Sequence, residues 1–260
     1  MSSVAGEHPR QVPVPIVTAE GISKRFGHVT ALEDVGLSIY AGEVVAIVGD
    51  NGAGKSTFVS ILAGVNHPDA GTIYVDGEKV WIDSPSIAHQ LGIVTVFQDL
   101  ALVNDRDVAA NIFLGREPNW FGMVVDHKRM VKEATEVIAR LRVGLPDVRT
   151  PVRLLSGGQR QAVAVARAIV HGASRLVIMD EPTAALGVKE ARQVGEMIRG
   201  LKAQVRAVLL ISHNLDSVFD LADRVVVFRL GRQIADRPIA TTTRDEVVSL
   251  IVRGEGFSAP

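Results

Sequence analysis

Short unbroken apolar runs alternate along the chain with stretches of helical spacing. The runs Val-Val-Ala-Ile-Val at 44–48, Leu-Val-Ile-Met at 176–179, Val-Leu-Leu-Ile at 208–211 and Val-Val-Val-Phe at 225–228 carry no polar alternation. That pattern predicts strands covered on both faces, as in a parallel sheet. Residues 16–26, 35–39 and 92–97 read as further strands. Asp76-Gly77 between 72–75 and 79–82 predicts a hairpin, because both residues tolerate the left-handed turn conformation. Helices are predicted at 56–63, 188–202, 214–222 and 244–252, and 127–141 carries an apolar stripe at Met130, Val131, Ala134, Val137, Ile138 and Leu141. Ser84 before Pro85 marks a helix start in a mostly helical stretch from 84 to 170. Strands alternating with helices make this an α/β protein, with a mostly parallel sheet, helices on its faces and right-handed crossovers.

Composition narrows the picture without changing it. The chain has 260 residues, 47% of them hydrophobic, enough for a sizeable core. No apolar run approaches the roughly 18 residues of a membrane span, so attachment to a membrane is expected only through a partner. The formal net charge is −1, and no nucleic-acid partner is expected. Cysteine is absent, which excludes disulfides and thiolate metal sites. Residues 1–15 carry Ser, Gly and Pro and no signal-peptide pattern; they are expected to be a disordered tail.

The candidate chemistry starts where the run 44–48 ends. Gly49-Asp50-Asn51-Gly52-Ala53-Gly54-Lys55-Ser56 has the spacing G-x-x-x-x-G-K-[ST] between a predicted strand and a predicted helix. Glycines let successive N–H groups turn toward an anion, and the helix N-terminus adds positive potential. Lys55 supplies a full charge for the β- and γ-phosphates, and the Ser56 hydroxyl is a Mg²⁺ ligand candidate. Thr57 follows within the first helical turn and joins the nucleotide-binding candidates.

Two further strand ends converge on the same chemistry. The run 176–179 ends in Asp180-Glu181, and carboxylates at the C-terminal ends of parallel strands face the ligand crevice. Asp180 is read as the Mg²⁺ carboxylate and Glu181 as the base for the attacking water. Neighbouring strand residues point opposite ways, so both serve only if the strand ends there. Taken alone, two acids before Pro182 are also what a solvated turn contains. His213 follows the run 208–211 and is read as a γ-phosphate hydrogen bonder; a lone histidine at a helix start is more often a cap or surface residue.

A second anion-type helix tip stands at Leu155-Ser156-Gly157-Gly158-Gln159-Arg160-Gln161. Lying far along the chain from the first loop, it predicts a head-to-tail homodimer with each nucleotide between two copies. With these motifs, residues 16–252 resemble the ATP-binding-cassette ATPases, whose hallmark is Leu-Ser-Gly-Gly-Gln. The resemblance implies a P-loop NTPase core, an antiparallel β subdomain and a helical subdomain at about 99–170, in a domain spanning 16–254 with a tail at 255–260. It implies ATP and Mg²⁺, with Phe26 stacking on adenine and Gln98 touching Mg²⁺ and water. Ser156, Gly157, Gly158 and Gln159 then reach the partner's nucleotide. The bland alternatives are core for Phe26 and a polar strand end for Gln98. One departure stands out: the family's usual Ser-Ala-Leu-Asp is here Ala184-Ala185-Leu186-Gly187, and Gly187 has no side chain for coupling the two sites.

Phe97-Gln98-Asp99-Leu100-Ala101-Leu102 and Asn111-Ile112-Phe113-Leu114-Gly115-Arg116-Glu117 are similar to bacterial monosaccharide import cassettes of the single-cassette, fructose type. That resemblance implies ATPase activity driving sugar import. It also implies integral-membrane permease partners docked near 98–117, a periplasmic or lipoprotein sugar-binding protein acting indirectly, and a place at the cytoplasmic face of the membrane. The alternatives are a cassette ATPase not coupled to transport, or a motor for another small solute.

Overall fold

A computed structural model describes residues 14–121, 124–170, 174–184, 186–204 and 206–254. Most of the expected tails, 1–13 and 255–260, therefore lie outside the described residues, as does Ala185.

The main sheet has six strands, β3 (Val44–Val48), β6 (Ile93–Val96), β9 (Leu176–Asp180), β10 (Ala207–Ile211), β11 (Arg224–Arg229) and β12 (Arg232–Pro238), in the order β12-β11-β3-β10-β9-β6. All neighbouring pairs are parallel except β11 with β12. Every residue of β3 and β10 is buried, which is why their sequences lack alternation. The two faces still separate by the period of two. Val44, Ala46 and Val48 pack into the core beneath the helices. Val45 and Ile47 face the opposite core with Phe58 of α1 (Lys55–Leu62), whose ring meets Phe228 edge-on at 5.6 Å.

That opposite core is closed by a four-stranded antiparallel sheet of β1 (Val17–Phe26), β2 (Val29–Ile39), β4 (Ala70–Val75) and β5 (Glu78–Val80), ordered β2-β1-β4-β5. The expected hairpin is there, with Asp76 at φ 51 and Gly77 at φ 82, although β5 stops at Val80 and leaves Ile82 beyond it. Its partner hairpin, β11–β12, was not expected from the pattern. It turns at Leu230 and Gly231, both at positive φ. Its second strand, Arg-Gln-Ile-Ala-Asp-Arg-Pro, buries only Ala235, so no apolar run marked it. A two-stranded ribbon, β7 (Asn119–Trp120) with β8 (Val124–Val125), is likewise too short for a pattern.

Helices α2 (Pro85–Gln90), α3 (Val108–Ile112), α4 (His127–Arg140) and α5 (Gly157–Ile169) fill the middle of the chain, and α6 (Val188–Ala203), α7 (Leu215–Leu221) and α8 (Arg244–Arg253) complete the fold. Ser84 caps α2 by accepting from the Ile87 N–H at 3.4 Å. In α4 the residues Met130, Ala134, Val137 and Ile138 are buried against α3 and α5, as the stripe predicted. Because β3, β6, β9 and β10 run parallel, their carboxyl ends share one edge of the sheet. The chain leaves β3 for β6 at the far edge and later returns to β10 beside β3. That is the switch point where α/β sheets open a ligand crevice.

Candidate active site

The loop after β3 wraps the N-terminus of α1. Gly49 has φ 149 and Gly54 φ 102, conformations that side chains resist. A Cβ on Gly54 would lie 2.6 Å from the Ala31 carbonyl oxygen and 2.8 Å from Leu32 Cδ2, so the loop presses against β2 as only glycine allows. Lys55 is 8% exposed and folds back along the loop, donating to the carbonyls of Gly49 at 2.7 Å and Asp50 at 2.9 Å. Burial lowers its ammonium pKa, while Glu181, Asp180 and Asp50 pull it back up.

Gly49, Asp50, Asn51, Lys55, Ser56, Gln98, Asp180, Glu181 and His213 line one cleft of about 500 Å³, with Ala184 and Ile211 completing the wall. The expected constellation is thus assembled from the ends of four strands. The two adjacent acids both face it because β9 ends at Asp180 and Glu181 takes a left-handed conformation, φ 50. For a residue other than glycine this strain costs on the order of 1–2 kcal/mol. The Glu181 N–H bonds the Ile211 carbonyl at 2.9 Å, which fixes the kink.

His213 is held by that glutamate. Its backbone N–H donates to Glu181 Oε1 at 3.1 Å and its ring Nδ1 lies 2.8 Å from the same oxygen. An ionised Glu181 only accepts, so Nδ1 carries a proton; the ring donates to a phosphate through Nε2 only as imidazolium. Glu181 is thus the partner that the fold itself supplies to His213.

Asp180 feels burial first and the charge of Glu181 second, and both push its carboxyl pKa up, against the downward pull of Lys55. A raised native pKa means that ionised Asp180 costs stability. The cost grows as pH rises from the ordinary aspartate value through the raised one and is constant above it. Asp180→Asn is therefore expected to unfold at a higher temperature than the native chain near neutral pH without nucleotide. The advantage disappears below the ordinary carboxylate range, and ATP turnover is lost at every pH. Calorimetric melts across a pH series check this; an equal or lower melting temperature at neutral pH overturns it.

Phe26 is 47% exposed at the tip of the β1–β2 hairpin, where it pairs with Val29, with Lys24 Nζ 5.5 Å above its ring. It is not core. Further along β2, Ala31 and Leu32 abut Gly54.

Ser156, Gly157, Gly158 and Gln159 form the N-terminus of α5 and are not among the residues lining the cleft. Ser156 Oγ accepts from the Gln159 N–H at 3.4 Å, and Gln159 Oε1 accepts from the Ser156 N–H at 3.0 Å, a complete capping box. Arg167, near the other end of α5, donates to the carbonyls of Leu100 at 2.5 Å and Ala101 at 2.8 Å and so ties the segment after Gln98 to this helix. Sequence reading missed Arg167; the signal was a cation on a helix otherwise rich in Ala and Val. Within this frame a family profile described as ABC transporter matches residues 32–184.

The chain belongs to the ABC transporter family. It binds and hydrolyses ATP, as the cassettes of this family do. A xylose/arabinose import ATP-binding protein of Sulfolobus acidocaldarius is 44% identical over 230 residues, covering 88% of this chain and 91% of the relative. A fructose import ATP-binding protein of Rhizobium meliloti is 46% identical over 228 residues, covering 85% and 87%. A ribose import ATP-binding protein of Rubrobacter xylanophilus is 43% identical over 250 residues, covering 95% of this cassette but 47% of the relative. Among solved structures, a nucleotide-free ATP-binding cassette from an ABC transporter superposes with a TM-score of 0.78 at 28% identity, covering 86% of this chain and 91% of that one.

Proposed function

We propose that this cassette is the ATP-hydrolysing motor of a monosaccharide importer, working as a homodimer that closes around two ATP. The observation that carries the dimer is the split between the cleft, which holds Lys55, Asp180 and Glu181, and the glycine tip at Ser156–Gly158, which is not part of its wall. A second copy, head to tail, brings its tip to the open side of the first copy's cleft. Support for the sugar comes from relatives named as import proteins for xylose/arabinose, fructose and ribose.

In this reading Phe26 stacks on the adenine. The N–H groups from Gly49 to Thr57 and the Lys55 ammonium take the phosphates, and Glu181 accepts the proton of the attacking water while His213 steadies its carboxylate. Ser56, Asp180 and Gln98 share one wall of the cleft and are chemically suited to Mg²⁺: a hydroxyl, a carboxylate and an amide oxygen beside a local surplus of negative charge. Bound there, the ion would neutralise charge on the β- and γ-phosphates. Among the described residues no three His, Asp or Glu side chains are clustered to hold a metal by themselves, so nucleotide and water would complete the shell. Among the described residues no helix is long and apolar enough to cross a membrane. The motor would sit at the cytoplasmic face, held by a permease that docks near 98–117, with a separate binding protein selecting the sugar.

The shared site is tested by mixing variants. Ser156→Arg alone and Lys55→Ala alone are each expected to lose turnover. Mixed in equal amounts, they regain about a quarter of native activity, since about half the dimers are hetero-dimers with one intact site of two. No regain on mixing, with Ser156→Arg fully active alone, rejects the shared site. The transport role is tested by purifying the chain with its membrane partner and measuring ATP-driven uptake into vesicles over a panel of pentoses and hexoses. Uptake of another solute class, or none, rejects the sugar assignment.

A further inference from the structure

Glu190 lies in the first turn of α6, outside every motif read from the sequence, and its carboxylate joins two helix N-termini. Oε2 accepts from the Gly187 N–H at 3.1 Å, at the start of its own helix. Oε1 accepts from the Gly157 N–H at 3.1 Å, at the start of α5, 33 residues away in sequence. Both donors are among the N–H groups a helix start leaves without a carbonyl. Gly187 has no side chain to cap α6, so the glutamate supplies the capping contact from within the helix. The packing around it is close. A Cβ on Gly157 would run into Leu186, and one on Gly158 would lie 3.1 Å from Gln193 Oε1 and 3.3 Å from the Glu190 carbonyl oxygen. Two side-chain-free residues are what let α6 approach α5 here.

The connection continues to Glu181, the proposed base. The Ala184 N–H bonds the Glu181 carbonyl at 3.1 Å and the Leu186 N–H bonds the Thr183 carbonyl at 3.3 Å. Those two bonds stand between Glu181 and Gly187, and Glu190 carries the link across to Gly157. We infer that Glu190 is a positioning residue that locks the Ser156–Gly158 tip to the segment behind Glu181. This inference rests on the shared-site reading. If each tip grips the partner's nucleotide, Glu190 ties the tip serving one ATP to the base serving the other.

The test uses the full chain with Glu190→Ala, Glu190→Gln and, as reference, Ser156→Arg. Turnover is measured against Mg-ATP concentration, and binding of a fluorescent ATP analogue reports the Lys55 loop separately. Glu190→Ala is expected to lower kcat about tenfold, from two lost hydrogen bonds to a charged acceptor. The Hill coefficient falls from about 2 toward about 1, while analogue affinity stays within about twofold. Glu190→Gln, which keeps one acceptor oxygen, falls between. Loss of a mere helix cap lowers the melting temperature and leaves the Hill coefficient alone. Unchanged kcat in Glu190→Ala, or a reduced kcat with an unchanged Hill coefficient, overturns the inference. Full turnover in Ser156→Arg would instead remove the shared site on which it rests.

Discussion

Replacing Glu181 by glutamine is expected to cut ATP turnover by about 10²–10⁴-fold, the range for loss of a general base, while leaving ATP binding intact or tighter. Glutamine is the same size, so it fits the kink at φ 50, and its amide oxygen still accepts from the His213 backbone and ring. What it removes is basicity and one negative charge. That charge acts on its neighbour: it pushes the Asp180 carboxyl pKa up. Without it the cleft is less repulsive to a triphosphate and Asp180 ionises more readily. Nucleotide should therefore load but not leave, and the Mg-ATP-saturated variant is expected to sediment as a stable dimer where the native chain does not. Residual turnover within about threefold of native would remove Glu181 from the role of base.

Much of this site was readable because its parts are local. Gly49–Ser56 is a contiguous signal between an apolar run and a helix, and the acids and histidine each follow a buried strand. A parallel sheet then brings strand ends together without further instruction. The two-face coverage of β3 and β10 was readable for the same reason: solvent-free strands have no polar positions. Three kinds of feature were not readable. Strand β12 packs one residue and satisfies its backbone against β11, so hydropathy carried no mark of it. The left-handed backbone at Glu181 is dictated by a bond from its N–H to Ile211, a neighbour 30 residues on, and no propensity of glutamate announces it. The long-range bonds of Arg167 and Glu190 join segments distant in sequence, and single-residue chemistry says only that a charge is present. The surroundings of His213 were hidden for a similar reason. Its partner in the fold is Glu181, which the separation of 32 residues concealed.

The second large effect falls on Lys55, where charge and stability are expected to move in different directions. Lys55→Met should weaken ATP binding by about two to four powers of ten, because charge-assisted hydrogen bonds contribute roughly 1.5–3 kcal/mol each and in the proposed site this ammonium serves two phosphates. The same substitution is not expected to unfold the protein. Burial, the dominant influence on this group, lowers its pKa, so the folded chain holds the charged form less readily than the unfolded chain does. Carrying that charge costs stability, in full below the depressed value and less and less as pH rises from there to the ordinary lysine value. Methionine fills similar space without the cost, and set against this are the two lost bonds to the Gly49 and Asp50 carbonyls, 2.7 and 2.9 Å long. With terms of similar size opposed, the melting temperature without nucleotide should change by no more than about 4 °C, while titration calorimetry registers the loss of ATP. Lys55→Arg is expected to fail as well, since a planar guanidinium does not fit a slot that leaves the lysine 8% exposed. Native-like affinity in either variant would mean that the loop's backbone N–H groups alone hold the triphosphate, and the lysine would then be a strut for the loop rather than a ligand for the substrate.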